Sequence, residues 1–225
     1  MTTVQTHLEE IEETLIKACE RSNRKREDIT VIGVTKYVTI ERTKELLDAG
    51  IIDLGENRAE ELQHKYEEIE DGATWHFIGT LQSRKVKDVI DKVTSIHSLD
   101  RMSVAKQINK RVEKPMDCFV QVNISGEETK HGLTKDAVLP FIESLSDYKN
   151  VRIKGLMTMA PHVDDEEQIR NVFRQLRELR DEIQAKNYAH APCHDLSMGM
   201  SNDYEIAIEE GATHIRLGSV LVGNS

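Results

Sequence analysis

Little in this chain suits a polyanionic or lipid partner. Its 30 Lys and Arg are outnumbered by 40 Asp and Glu, for a formal net charge of −10, and a chain of that sign repels nucleic-acid phosphate and anionic lipid. Nucleic acid and membrane are therefore not expected as partners. No apolar run approaches the roughly 20 residues needed to cross a bilayer, and the first ten residues lack the basic segment and apolar core of a secretory leader. Cysteine is scarce: Cys19, Cys118 and Cys193 are odd in number and widely spaced, with no C-x-x-C pair. Neither a disulfide framework nor a zinc site is expected from them, and the compartment they suit is a reducing one. A cytoplasmic protein is the expectation. Also missing are a Ser/His/Asp order, a Walker loop, a G-x-G-x-x-G opening a helix and histidines at metal-ligand spacing, which leaves hydrolase and metal readings without support.

The pattern that is present is an alternation. Val4, Leu8, Ile11, Leu15 and Ala18 fall on one face of a leading amphipathic helix. Eight short apolar runs follow, at residues 29–35, 51–54, 74–78, 93–97, 116–122, 151–157, 193–196 and 213–217, each of strand length. Between them lie helical periodicities such as Ile169, Val172, Phe173, Leu176 and Ile183. Thr39 and Thr134 are placed to cap helices, Asn57 with Glu60 forms an N-x-x-E box, and Gly50 and Gly211 stand where helices stop. Parallel strands joined by helical crossovers close most naturally, at eight, into an α/β fold of the TIM type, a single (β/α)8 barrel. A doubly wound open sheet is the alternative. Only eight residues follow Leu217, so the leading helix is expected to cover the space beside the last strand. No Pro/Gly-rich linker, low-complexity tract or repeat divides residues 1–225, which read as one domain. The irregular stretch from Asn123 to Leu133 reads either as a lid or as an ordinary loop.

In such folds ligand-holding groups gather at the carboxyl ends of strands. Lys36 stands at the end of the first. A lysine there is either an edge-strand cap or a nucleophile that forms imines. The second and third strands bring Asn57 and His76, the former equally readable as a helix cap and the latter as a satisfied core histidine. The last two strands bring Ser197, Met198, Gly199 and Ser201, then Arg216, Gly218 and Ser219, where barrels often bind phosphate on backbone N–H groups. Ser201 also suits a plain helix cap. Arg216, if buried, needs a ligand or a carboxylate partner. A strand-end lysine facing a phosphate site suggests a phosphorylated aldehyde, of which pyridoxal phosphate is the commonest.

Taken in order, the motifs Val34-Thr35-Lys36, Leu54-Gly55-Glu56-Asn57-Arg58, Trp75 to Gln82, Ile96 to Asp100, Gln121 to Glu127, Gly155 to Thr158, Leu196 to Ser201 and Arg216 to Ser219 span nearly the whole chain. In that order the sequence resembles pyridoxal phosphate homeostasis proteins of the YggS/PROSC type, whose fold is that of the alanine racemase barrel domain. The resemblance implies an internal aldimine between Lys36 and pyridoxal phosphate. It implies a phosphate held by Ser201, Gly218 and Ser219 with Ser197 and Met198 adjoining, Asn57 and His76 lining the cofactor, and Arg216 against the pyridine nitrogen. A guanidinium cannot accept a proton, so the ring nitrogen would stay unprotonated and the cofactor would be a poor electron sink. Tyr37-Val38-Thr39 after the lysine and Arg84 after Ser83 depart from the family's usual rim.

Two functions follow from the resemblance. One is a carrier that holds pyridoxal phosphate, buffers it and passes it to apo-enzymes, without turnover. The other is an amino-acid racemase, which needs a base on each face of the cofactor. Lys36 could serve one face, but Tyr37, its neighbour along the chain, points the other way, and the racemase's additional carboxyl-terminal domain has no counterpart in the sequence. The carrier is the expectation, as a monomer. A phosphosugar aldolase using Lys36 is a more distant third.

Overall fold

Eight parallel strands close into a barrel in the order of the chain, β1 to β8, with β8 pairing back on β1. The computed structural model describes residues 3–69, 71–127 and 130–223. The strands are β1 (Thr30–Val34), β2 (Asp53–Glu56), β3 (Thr74–Phe77), β4 (Ser95–Leu99), β5 (Met116–Gln121), β6 (Val151–Met157), β7 (Asp195–Ser197) and β8 (His214–Leu217). This is the TIM-type barrel expected, with the open sheet excluded by closure. Three strands, β2, β4 and β7, begin two residues later than their apolar runs. β2 starts at Asp53 because Ile51 belongs to the turn after the preceding helix, its N–H bonded to Leu46, and the strand continues through a buried Glu56. β4 likewise extends to Ser98 and Leu99. Before β7, Cys193 adopts a left-handed φ of 46° that turns the chain, so pairing starts at Asp195.

The helices are α1 (Val4–Arg21), α2 (Ile40–Asp48), α3 (Ala59–Glu68), α4 (Val86–Val89), α5 (Met102–Arg111), α6 (Lys135–Glu143), α7 (Glu166–Gln184), α8 (Tyr204–Glu209) and α9 (Ser219–Val222). α1 buries Val4, Leu8, Ile11, Leu15 and Ala18, worth about 1.5–3 kcal/mol for each large side chain. It packs on α8 and α9, with His7 Nδ1 3.1 Å from the Leu221 carbonyl and Arg21 paired to Glu205 and Glu209. The leading helix thus fills the place beside the last strand. Thr39 caps α2 by accepting from Arg42 N, whereas Thr134 precedes α6 without a side-chain bond. Asn57 is not a cap: α3 starts at Ala59 behind Arg58. The three cysteines are buried and unbridged. Among the described residues no helix is long and apolar enough to cross a membrane, and no His/Cys/Asp/Glu group is placed to hold a metal ion.

The outer core fills the shell between strands and helices. The barrel interior carries a run of polar groups: His76 on β3, Ser95 and His97 on β4, Ser197 on β7 and Arg216 on β8 are all buried. They contact one another across the barrel, and His97 stacks on Phe119 of β5 at 4.1 Å between ring centres.

Candidate functional site

At the carboxyl ends of the strands a cavity of about 620 Å³ opens, and Lys36, Asn57, Ser201, Arg216, Gly218 and Ser219 all line it. Lys36 stands two residues beyond the end of β1. The chain turns at once behind it: Val38 N–H bonds back to the Thr35 carbonyl at 3.0 Å, and Tyr37 takes a left-handed φ of 63°, a strained conformation for a bulky residue. The Tyr37 ring is 68% exposed and stacks under Arg58 outside the cavity. Lys36 itself is exposed to the cavity and has no hydrogen-bond or ion-pair partner among the described residues.

Behind the tip of β1 lies a buried ion pair. Lys65 Nζ on α3 meets Glu56 Oε1 at 2.5 Å and also donates to the Thr35 carbonyl. Glu56 Oε1 accepts from Thr35 Oγ1 at 2.6 Å, and Oε2 from Asn57 N at 3.3 Å. The residues next to Lys36 and Asn57 are thereby tied to one carboxylate. Sequence inspection passed over Lys65, although it continues the buried stripe of Ala59 and Leu62 at i+3 spacing. Asn57 is held over the cavity from the other side, where a Cβ on Gly79 would lie 2.1 Å from the Asn57 carbonyl oxygen, so only glycine allows the two strand ends to approach.

The far wall is built by β7, β8 and their loops. Gly199 has φ 96°, and a Cβ there would come 2.6 Å from that of Ala207, so this loop too requires glycine. Asp203, not Ser201, precedes α8, and its Oδ1 accepts from Met200 N at 2.6 Å. Burial raises the Asp203 carboxyl pKa, with Arg216 and His162 opposing. Ser201 Oγ instead faces the start of α9, accepting from Gly218 N at 3.3 Å and Val220 N at 3.4 Å. These long bonds leave amide donors directed at one small volume, the geometry that receives an anionic oxygen.

Arg216 is 5% exposed. One terminal nitrogen donates to Ser197 Oγ at 2.7 Å and the other to the Thr158 carbonyl at 3.0 Å, and among the described residues it forms no ion pair. A guanidinium has five N–H donors, so three have no hydrogen-bond partner among the described residues, on a side chain that lines the cavity. Desolvation draws its pKa down to about 10, against the opposing pull of Asp203. A buried cation so placed calls for a ligand.

Three residues picked from the sequence lie elsewhere. His76 is a layer too deep: Ile78, two residues on, lines the cavity, and two residues along a strand are about 6–7 Å. Ser197 lies beneath Arg216 and reaches the cavity only through it, and Met198 is buried in the outer core. Conversely Gln121, His131, His162, Asn202 and Asp203 line the cavity. Gln121 ends β5, while Asn123, two residues on, braces its own loop through Glu127 and Gly126. Leu133 N–H bonds to Gln121 and Lys130 pairs with Glu127, while residues 128 and 129, in the middle of the stretch read as a lid, lie outside the described residues.

A family model for the alanine racemase N-terminal domain matches residues 9–225. The chain is 44% identical to the pyridoxal phosphate homeostasis protein of Aquifex aeolicus over 96% of each chain. Among solved structures it superposes on PipY of Synechococcus elongatus with PLP bound, with a TM-score of 0.82 and 28% identity, over 93% of this chain and 100% of that one. It also matches an alanine racemase of Clostridium difficile, TM-score 0.77 at 16% identity, a likeness of fold alone that covers 99% of this chain and 57% of the racemase.

Proposed function

The chain belongs to the pyridoxal phosphate homeostasis family, on the alanine racemase N-terminal domain fold, and from this premise we propose that it holds pyridoxal phosphate on Lys36 as a carrier, without turning over an amino acid. The single observation that carries the reading is Arg216, a buried guanidinium that lines the cavity with donors left over and no ion pair among the described residues. The other groups fit the same ligand. The amide end of α9 with Ser201, Gly218 and Ser219 suits a phosphate, Arg216 suits the ring nitrogen, and the unpartnered amine of Lys36 suits a carbonyl. Asn57 flanks the ring position. Ser197 acts by holding Arg216, while His76 and Met198 stay out of contact. When bound, the cofactor supplies an aldehyde that condenses reversibly with a primary amine. What the chain supplies is the tether, the anion cradle and a donor that cannot become an acceptor at the ring nitrogen. Residues 1–225 work here as one domain.

The carrier reading draws support from the relative's name over nearly its full length and from the cavity wall, where no tyrosine stands among the described lining residues. Delivery to apo-enzymes belongs to the same reading. Its test is the visible absorption band of the protein mixed with pyridoxal phosphate, followed by borohydride trapping and peptide mapping. A band and a modification at Lys36, both lost in Lys36→Ala, are expected. A wild-type protein that gives neither refutes the reading.

A further inference from the structure

The buried polar groups of the barrel interior form a continuous hydrogen-bonded chain. It begins at Arg216, whose guanidinium donates to Ser197 Oγ at 2.7 Å. Ser197 Oγ lies 2.8 Å from His97 Nδ1, and His97 Nε2 lies 2.9 Å from Ser95 Oγ. Ser95 Oγ is 2.7 Å from His76 Nδ1, and His76 Nε2 is 2.8 Å from Asp53 Oδ1. Asp53 opens β2 at the amino-terminal end of the barrel and its side chain is 25% exposed. The chain therefore runs through the barrel from the cavity floor to the opposite face.

Chemistry fixes every hydrogen in it. Arg216 can only donate, so Ser197 accepts and sends its single hydrogen to His97 Nδ1. A neutral His97 then carries its hydrogen on Nε2 and gives it to Ser95, whose own hydrogen goes to His76 Nδ1. That nitrogen also stands 3.2 Å from the protonated Nε2 of His97 and so must be bare. His76 is left with Nε2–H, which Asp53 accepts. Full burial keeps His97 neutral, its pKa lowered well below that of a free imidazole. Reversing the chain would give Ser197 two donors and strand its hydroxyl hydrogen in the interior, a cost of the kind buried polar groups avoid. A cation at one end and a carboxylate at the other thus set one direction for all the links.

We propose that Asp53, through His76, Ser95, His97 and Ser197, is a remote positioning residue for Arg216, locking the guanidinium in the orientation that presents an N–H to the ring nitrogen of a bound pyridine. This rests on the cofactor reading above for its ligand, but the lock itself is a property of the protein alone. In the cofactor-free protein, histidine nitrogen NMR should find both His76 and His97 as Nε2–H tautomers. Asp53→Ala should disturb the His97 tautomer, whereas Asp53→Asn, which keeps an acceptor oxygen in place, should preserve it.

With ring-labelled pyridoxal phosphate, the nitrogen resonance of the bound ring should move in Asp53→Ala and stay in Asp53→Asn, and the dissociation constant should rise several-fold only in the former. Should Asp53→Ala fail to fold, Ser95→Ala removes one oxygen from mid-chain and must give the same shift. An unchanged tautomer and ring resonance in the severed chain overturn the proposal. So does an Asp53→Asn shift as large as that of Asp53→Ala, which would mark a charge effect. Failure of wild type to bind pyridoxal phosphate, with the tautomers as stated, removes the ligand reading and leaves the lock standing.

Discussion

Lys65 Nζ and Glu56 Oε1 meet at 2.5 Å with 2% and 0% of their side chains exposed, directly behind the strand end that carries Lys36. Each partner also serves the backbone at the cavity rim, Lys65 through the Thr35 carbonyl and Glu56 through Asn57 N. The pair is less a source of net stability than a clamp, because desolvation offsets most of its Coulombic gain.

Removing one partner leaves the other charge buried alone. Glu56→Gln and Lys65→Met are each expected to cost about 3–5 kcal/mol, read from urea unfolding of the cofactor-free protein. The double replacement Glu56→Leu/Lys65→Met is expected to recover most of that stability, yet still bind pyridoxal phosphate more weakly, because Thr35 and Asn57 lose their tie. Full recovery of affinity along with stability would show that the clamp does not position the rim.

Acid should unfold the protein through two interior histidines. Burial lowers the pKa of His214 to about 3 and that of His97 well below the free value, with His76, Arg216 and Lys154 adding repulsion in both cases. Both are neutral when folded and take up protons on unfolding below about pH 6.5. Stability is then independent of these groups above that pH and falls as pH drops toward the folded values. The slope is about 1.4 kcal/mol per pH unit for each site. Unfolding curves between about pH 6 and 4 should flatten by that amount in His97→Gln or His214→Gln; an unchanged slope in both variants excludes the histidines as the acid trigger.

Ser201 tests the anion cradle separately from the tether. Its hydroxyl faces the Gly218 and Val220 amides, and a hydrogen bond to a charged group is worth about 1.5–3 kcal/mol. Ser201→Ala should therefore weaken pyridoxal phosphate roughly tenfold to a hundredfold and leave pyridoxal, which lacks the phosphate, unaffected. Equal losses for both ligands would move the phosphate away from this loop.

The barrel was legible because each buried parallel strand reads as a short apolar run, and β6 matches its run to the residue. Strands that end in buried polar groups were displaced, since Glu56 and Ser98 look like loop residues until their surroundings are known. Lys36, Arg216, Gly218 and Ser219 could be picked out because a strand's last residues face the cavity. His76 was misplaced because one strand face passes through two layers, and its true neighbours, Asp53, Ser95 and His97, come from other strands. Nothing local in the sequence records a contact such as His97 with Ser197, a hundred positions apart.

Carrier and racemase differ in one measurable act, removal of the α-proton of an amino acid. That step needs a ring able to draw electrons and a base on each face. On the carrier reading proposed above, Arg216 would donate to the ring nitrogen without protonating it, which weakens the sink, while Tyr37 turns its ring outward under Arg58. Exchange of the α-proton of L- and D-alanine in deuterated water should therefore be no faster with the loaded wild type than with Lys36→Ala. Exchange with both enantiomers that Lys36→Ala abolishes would make this an enzyme, and would direct attention to His131 and His162, the cavity's other exposed bases, as partners of Lys36.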